Sequence, residues 1–160
     1  GVPMAAIGGS NEVMSGLEWG KVLHFGTHNA GRLALHICKT MLTTMLADNQ
    51  AGFVKIKDLG QKLTKEIQQI TMKNNKHKVI CQGVNSMFQI FFTDQDKISN
   101  YRDFCRSVDR IKFRDFSLKL FDKGVYMNPS ATLHSLSAIV HTEDDIEFTA
   151  RAISDALNEL

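Results

Sequence analysis

Val79-Ile80-Cys81, followed across a short gap by Met87-Phe88-Gln89-Ile90-Phe91-Phe92, decides how this chain folds. The second run is dense in apolar and aromatic side chains, the composition of a mostly buried strand. Two such runs so close in sequence are predicted to pair antiparallel, with the turn around Gly83. A sheet this small must be covered, and the residues on either side supply the covers. Upstream, Ile56, Leu59, Leu63, Ile67 and Ile70 step by three, four, four and three. That spacing puts them on one helical face, with Lys57, Lys62, Lys65 and Glu66 outside. From Leu33 an earlier helix is predicted through Ala34, Ile37, Cys38, Met41, Leu42 and Met45, with a polar break at Asp48-Asn49.

Downstream, a helix is expected over about Val108 to Lys123, its apolar positions Ile111, Phe113, Phe116, Leu120 and Phe121. Gly124 then stands where a left-handed residue closes a helix. Val125-Tyr126-Met127 reads as a short strand halted by Asn128-Pro129, and Ser135 to His141 as another. Thr142 is a good N-cap for a last helix, with Glu143, Asp144 and Asp145 in its first turn and Ile146, Ala150, Ile153, Leu157 and Leu160 on one face. The predicted order α-α-β-β-α-β-β-α is that of an α/β chain whose bulk is a small α+β domain, a small sheet covered by helices. The first 32 residues are different: most of the glycines fall there, and short strands and turns are expected.

Length and charge exclude several functions. The chain has 160 residues with 19 basic and 17 acidic side chains, a formal charge of +2. Phosphate-backbone binding needs clustered basic charge, so no nucleic-acid partner is expected. The densest basic stretch, Lys73-Asn74-Asn75-Lys76-His77-Lys78, lacks interleaved aromatics and reads as a solvated turn. Cys38, Cys81 and Cys105 are widely spaced and include no Cys-x-x-Cys pair, which argues against a disulfide scaffold or zinc ribbon. No apolar run approaches the roughly 18 residues of a membrane span, so no membrane partner is expected and the cytoplasm is the default. The chain opens on Gly1 and not on methionine, which reads as processing or excision from something longer.

For chemistry, His24 and His28 are four apart but lack an H-E-x-x-H context, and no metal site is expected. Neither a nucleophile elbow nor a Walker loop is present. One constellation has promise: Phe25-Gly26-Thr27-His28-Asn29, just before the first long helix. A glycine followed by a hydroxyl residue at a loop-to-helix junction offers backbone N–H groups, a hydroxyl and the positive helix end, which are the parts of a phosphate site.

Several strings then line up with one family. Gly1-Val-Pro-Met-Ala-Ala-Ile-Gly-Gly9 resembles the Gly-Leu-Pro stretch of the class III, fold-type I pyridoxal-phosphate aminotransferases, and His24-Phe-Gly-Thr27-His-Asn their Gly-Thr segment. Ser86-Met87-Phe88 through Phe91-Phe92-Thr93, then Asn100-Tyr101, Gly124-Val125-Tyr126, Pro129-Ser130 and His141-Thr142-Glu143-Asp144-Asp145-Ile146 follow in order. They are similar to the glutamate-1-semialdehyde 2,1-aminomutase branch of that family. The resemblance implies the cofactor pyridoxal 5'-phosphate, a homodimer with the phosphate site shared across its interface, and a small amino-acid or semialdehyde substrate. In the family a lysine carries the cofactor as a Schiff base. Carried over residue by residue, Gly26 and Thr27 bind the cofactor phosphate. Residues 1–32 would end the large cofactor-binding domain, and residues 33–160 would form the small C-terminal domain.

Departures from the family pattern are equally specific. Its Schiff-base lysine precedes the Gly-Leu-Pro stretch, and so falls before Gly1; Lys21 does not occupy the matching position. The chain alone is therefore expected to be inactive. After the Gly-Thr segment the family's Gly-Asn-Pro is Ala30-Gly31-Arg32 here. Arg32 can meet a substrate carboxylate through its fork or serve in a surface ion pair. Ala131-Thr132-Leu133 replaces the aminomutases' Gln-Phe-Glu, so the glutamate associated with their substrate gate is missing. Ser130 and His134 lie in a segment that the resemblance places near the cofactor entrance, and His141 is expected to bond backbone. Three readings follow: an aminomutase-like enzyme, an aminotransferase acting on amino and keto acids, or a non-catalytic fragment or interaction domain.

Overall fold

The computed structural model describes residues 2–18 and 21–160. The chain divides into two compact units, Gly1–Ala51 and Gly52–Leu160. In the first unit a helical turn, α1 (Asn11–Met14), is capped by Ser10 and runs into a 3-10 turn at Ser15–Leu17. The short strands expected in the first 32 residues are not found among the described ones. Turns hold this segment instead, because its backbone groups bond three residues away, as in Lys21 N–H to Glu18 O at 3.2 Å.

The helix α2 (Arg32–Lys73) is interrupted at Ala47–Gln50. Asp48, Asn49 and Gln50 have φ of 49°, 57° and 66°, left-handed values that short polar side chains tolerate best. This is the break expected at Asp48-Asn49. The helical run 52–73 belongs to the second unit. Its Leu59, Leu63 and Ile67 are buried, while Lys57 and Lys65 are exposed.

Two strands, β1 (Val79–Val84) and β2 (Met87–Phe92), pair antiparallel with Val79 opposite Phe92 and Val84 opposite Met87. The turn is at Asn85-Ser86 and not around Gly83, which lies within β1 opposite Phe88. Asn85 takes φ of 53°, the conformation a tight hairpin needs. Val79, Cys81, Phe88, Ile90 and Phe92 face inward onto Leu59, Leu63 and Ile67, Phe113, Phe116 and Leu120, and Ile146, Ile153 and Leu157 in one buried cluster. Phe92 and Phe116 meet edge to face with centroids 5.5 Å apart.

Between β2 and the next predicted helix stands an unpredicted one, α3 (Tyr101–Ser107), capped by Asn100. It buries only Phe104, so its apolar periodicity is too sparse to read. The helix expected from Val108 is α4 (Arg110–Asp122), with Asp109 as N-cap. At its end Gly124 has φ of 83°, Gly124 N–H reaches Phe121 O and Val125 N–H reaches Leu120 O, both at 3.0 Å. That double closure is the Schellman arrangement. It explains why Val125–Met127 is no strand: the first N–H is already used by the helix end. The strand expected over Ser135–His141 is reduced to β3 (Ser135–Leu136), pairing Leu136 with Met87 and Ser135 with Phe88. Ser137 N–H still reaches Ser86 O at 2.9 Å, but then the chain turns, with His141 N–H on Ala138 O at 3.1 Å. His141 Nδ1 accepts from Ala138 N–H at 3.1 Å, the backbone role expected of it. The sheet order is β1-β2-β3, and α5 (Glu143–Asn158) closes the unit with a Thr142/Asp145 capping box.

Two outcomes follow from this packing. A Cβ on Gly60 would stand 2.4 Å from Ser86 Cα and 2.5 Å from Asn85 O, so helix and hairpin turn touch backbone to backbone. Glycine costs a helix up to about 1 kcal/mol relative to alanine, yet Gly60→Ala should destabilise by about 2 kcal/mol because neither contact can give way. Chemical denaturation checks the sign: a raised midpoint would show that the helix and turn are not in contact. At the other end, Asp145 accepts from Thr142 N–H at 2.7 Å and from the Thr142 hydroxyl at 2.9 Å, which holds its carboxyl below the usual carboxylate value. A depressed folded value gives stability that is present above the unfolded value of about 3.9 and lost as pH falls through the folded one. Asp145→Asn should flatten the acid limb of a stability-versus-pH curve; an unchanged limb would remove the capping box from the account.

Candidate cofactor and substrate site

Gly26 and Thr27 open a turn in the first unit. Asn29 N–H reaches Gly26 O at 3.0 Å, Gly31 N–H reaches His28 O at 3.3 Å, and Leu35 N–H reaches Gly31 O at 3.0 Å to start α2. A Cβ on Gly26 would meet Asn29 Oδ1 at 3.0 Å, so the turn is tight there. The Gly-Thr pair is not at the helix end itself. His28 to Gly31 intervene, with Ala30 at φ of 54°. The Thr27 hydroxyl is exposed here, while the Asn29 and Gly31 N–H groups are used inside the turn and the α2 N-terminus lies further on. Beside the turn is a cavity of about 620 Å³, where Pro3, Met4 and Ala5 come against His24, Gly26 and Asn29. The two strings quoted from either end of the first 32 residues thus share one cavity. Thr27 is not on its wall.

Arg32 is the first residue of α2 and is exposed. The ion pair that its surface position invited is not made: among the described residues no carboxylate pairs with it. A cation at a helix N-terminus is electrostatically unfavourable, so Arg32 is neither paired nor well placed for the helix.

Ser130 and His134 belong to the second unit, where the structure does not join them. Ser130 N–H bonds Asn128 Oδ1 at 2.9 Å, and its hydroxyl meets the Thr132 hydroxyl at 2.7 Å. His134 is exposed and stands on the wall of two cavities. One, about 360 Å³, lies between β2 and α3 against Phe91, Tyr101, Phe104 and Thr132. The other, about 670 Å³, lies along the hairpin against Gly83, Met87 and Lys97. Two glutamines set this shape. Gln82 holds Ile98 at both ends of its amide, Nε2 to Ile98 O at 3.2 Å and Oε1 from Ile98 N–H at 2.7 Å. Gln89 Nε2 donates to Ala131 O at 3.1 Å and ties the 131–134 segment to the strand.

Tyr101, Thr132 and Gln89 were not chosen from the sequence. A polar residue inside the apolar run 87–92 was the one available signal for Gln89. Tyr101 stacks on Phe104 with centroids 5.8 Å apart and planes at 16°. Cys81 is no nucleophile, since burial pushes its thiol up to about 12. Among the described residues no three His, Cys, Asp or Glu side chains gather as a metal site. Among them, too, no helix is long and apolar enough to cross a membrane.

No family model matches the chain. Curated proteins do. The chain is 32% identical over 155 residues to the glutamate-1-semialdehyde 2,1-aminomutase of Clostridium kluyveri, covering 96% of the chain and 36% of that enzyme. It is 31% identical over 160 residues to the same enzyme of Thermus thermophilus, covering 98% and 36%. The chain is similar to the C-terminal part of these aminomutases. It spans about a third of the length of the aminomutases it matches. Among solved structures, a beta-phenylalanine aminotransferase from Variovorax paradoxus superposes with a TM-score of 0.78 at 20% identity, over 95% of the chain and 34% of that protein. A transaminase with PLP bound gives 0.66 at 16% identity, over 89% and 31%. At those identities the likeness is one of fold, that of the C-terminal part of fold-type I transaminases. The aminomutase resemblance read from the strings at 86–93 and 124–130 is thus matched over nearly the whole chain.

Proposed function

We propose that these 160 residues are the C-terminal part of a pyridoxal-phosphate enzyme that moves amino groups, most like glutamate-1-semialdehyde 2,1-aminomutase. The supporting observation is the 31–32% identity to aminomutases over at least 96% of the chain. In this reading residues 1–32 end the large cofactor-binding domain, residues 33–160 form the small domain, and the whole protein is a cytoplasmic homodimer. The Schiff-base lysine of the whole protein lies outside these residues, and the chain by itself does not turn over.

When bound, the cofactor supplies an electron sink to the carbon bearing the amino group. This chain's own residues bind and orient. The Thr27 hydroxyl donates to the phosphate across the dimer interface, and Gly26, with no side chain, lets the backbone approach. Arg32, cationic and unpaired, meets a substrate carboxylate. Ser130 and His134 border the substrate entrance, on a segment that Gln89 holds in place.

A second reading has its own observation. Ala131-Thr132-Leu133 stands where the aminomutases have Gln-Phe-Glu, and this favours an aminotransferase acting on amino and keto acids. Turnover of the semialdehyde by the whole protein without added keto acid is expected for the aminomutase; a strict need for a keto acid selects the aminotransferase. The phosphate assignment has a separate test. Thr27→Ala in the whole protein should weaken cofactor retention about tenfold, the effect of one charge-assisted hydrogen bond, measured from the cofactor absorbance that survives desalting. Undiminished retention would remove Thr27 from the site.

A further inference from the structure

The sheet turns one face to the helices, and its outward face is also largely apolar. Register sets the outward side chains in rows. Val84, Met87 and Leu136 stand side by side across all three strands, Gln82 beside Gln89 in the next row, and Ile80 beside Phe91 in the last. A sheet face left to water is polar, alternating with the core face. Here only the middle row is polar, and its amides hold Ile98 and Ala131. The last row is half-buried, with Phe91 edge to face on Phe104 of α3, centroids 6.2 Å apart. The first row has no such cover: Val84 is 70% exposed, Leu136 59% and Met87 45%. Apolar residues exposed singly need no explanation, but a contiguous row across a sheet marks a docking surface.

Charge narrows what can cover it. The groove of about 670 Å³ along this face carries Lys97 and His134 on its wall, and no Asp or Glu among the described residues lines it. Lys97 is exposed and makes no ion pair among those residues. A fitting occupant brings apolar side chains for the row and a carboxylate for Lys97. A second copy joined by a two-fold axis would lay the patch on itself, a cationic rim against a cationic rim with no carboxylate between them. The chain's share of its relatives supplies another occupant. It spans 36% of the aminomutases it matches, as their C-terminal part. On the function proposed above, the larger part of the polypeptide precedes residue 1, enough for a domain with its own surface to bury.

We propose that the outward face of the sheet, centred on the Val84, Met87 and Leu136 row, docks the part of the same polypeptide that precedes residue 1, through an apolar surface bearing a carboxylate that meets Lys97. The inference rests on the reading of these residues as the C-terminal part of a longer enzyme. It adds which face of the second unit that enzyme covers and what the covering surface must carry. In the whole protein the row is dry, and Lys97 is paired.

Photocrosslinking in the whole protein is the test. p-Benzoylphenylalanine replaces Val84, or in a second variant Leu136, and the irradiated protein is digested and mapped by mass spectrometry. Crosslinks from both positions to residues preceding residue 1, in bands of single-chain mass on denaturing gels, are expected. Crosslinks confined to residues 1–160, bands of doubled mass, adducts to another protein, or no crosslink at all would overturn the proposal. Val84→Cys gives a readout with a smaller side chain. In the native whole protein it should react with a maleimide at least about tenfold more slowly than after unfolding in urea, and equal rates would also overturn the docking. Lys97→Glu in that background should raise the native rate; an unchanged rate would strike the carboxylate from the proposal. The docking and the function can fail separately. A pyridoxyl lysine found upstream after borohydride reduction, with Val84→Cys open to the maleimide, sinks the docking alone, whereas no such lysine sinks the functional reading whatever Val84 touches.

Discussion

The second unit depends on enclosing one face of a two-stranded hairpin. Val79, Cys81, Phe88, Ile90 and Phe92 lie on that face, and three helical stripes cover it: Leu59, Leu63 and Ile67; Phe113, Phe116 and Leu120; Ile146, Ile153 and Leu157. An isolated hairpin is marginal in water, so strand pairing and helix packing must form together. Other features follow from that face. Gly60 allows the helix to lie against the Asn85-Ser86 turn, β3 can add to β2 only at Met87 and Phe88, and the outward glutamines of the same strands hold Ile98 and Ala131. The burial alternation that builds the core thus also aims Gln82 and Gln89 at the loops around His134.

Local chemistry was readable where one residue type dictates one geometry. The step pattern of Ile56 to Ile70 gave the covering helix, Gly124 the left-handed closure of α4, and Thr142 the start of α5. Reading failed where the deciding partner is remote in sequence. Val125–Met127 has strand composition, but Val125 N–H belongs to Leu120 O. Ser135–His141 has it too, yet β2 offers register partners only to Ser135 and Leu136. The helix α3 stayed unseen because it buries a single side chain, Phe104.

The same division holds for the candidate site. That Gly26-Thr27 forms a donor-bearing turn follows from residue type, but its separation from the helix end by Ala30 and Gly31 depends on a left-handed alanine that no sequence rule favours. Pro3 to Ala5 against His24 to Asn29 is a long-range meeting, as is Lys112 against the turn of Lys76 to Lys78. Charge counts along the chain average such meetings away. A formal charge of +2 gave no sign that Lys112 would meet the turn of Lys76 to Lys78.

The functional reading joins two facts of different kinds: a fold shared with the C-terminal part of fold-type I transaminases, and an identity of 31–32% to aminomutases over nearly the whole chain. Its central claim is that this chain works as the C-terminal part of a cofactor-bearing protein whose lysine is elsewhere. Borohydride reduction of the whole protein, followed by peptide mapping by mass spectrometry, tests that claim most directly. The account predicts a pyridoxyl group on one lysine outside residues 1–160. A pyridoxyl group on Lys21 or another lysine of this chain, or none anywhere, would contradict it.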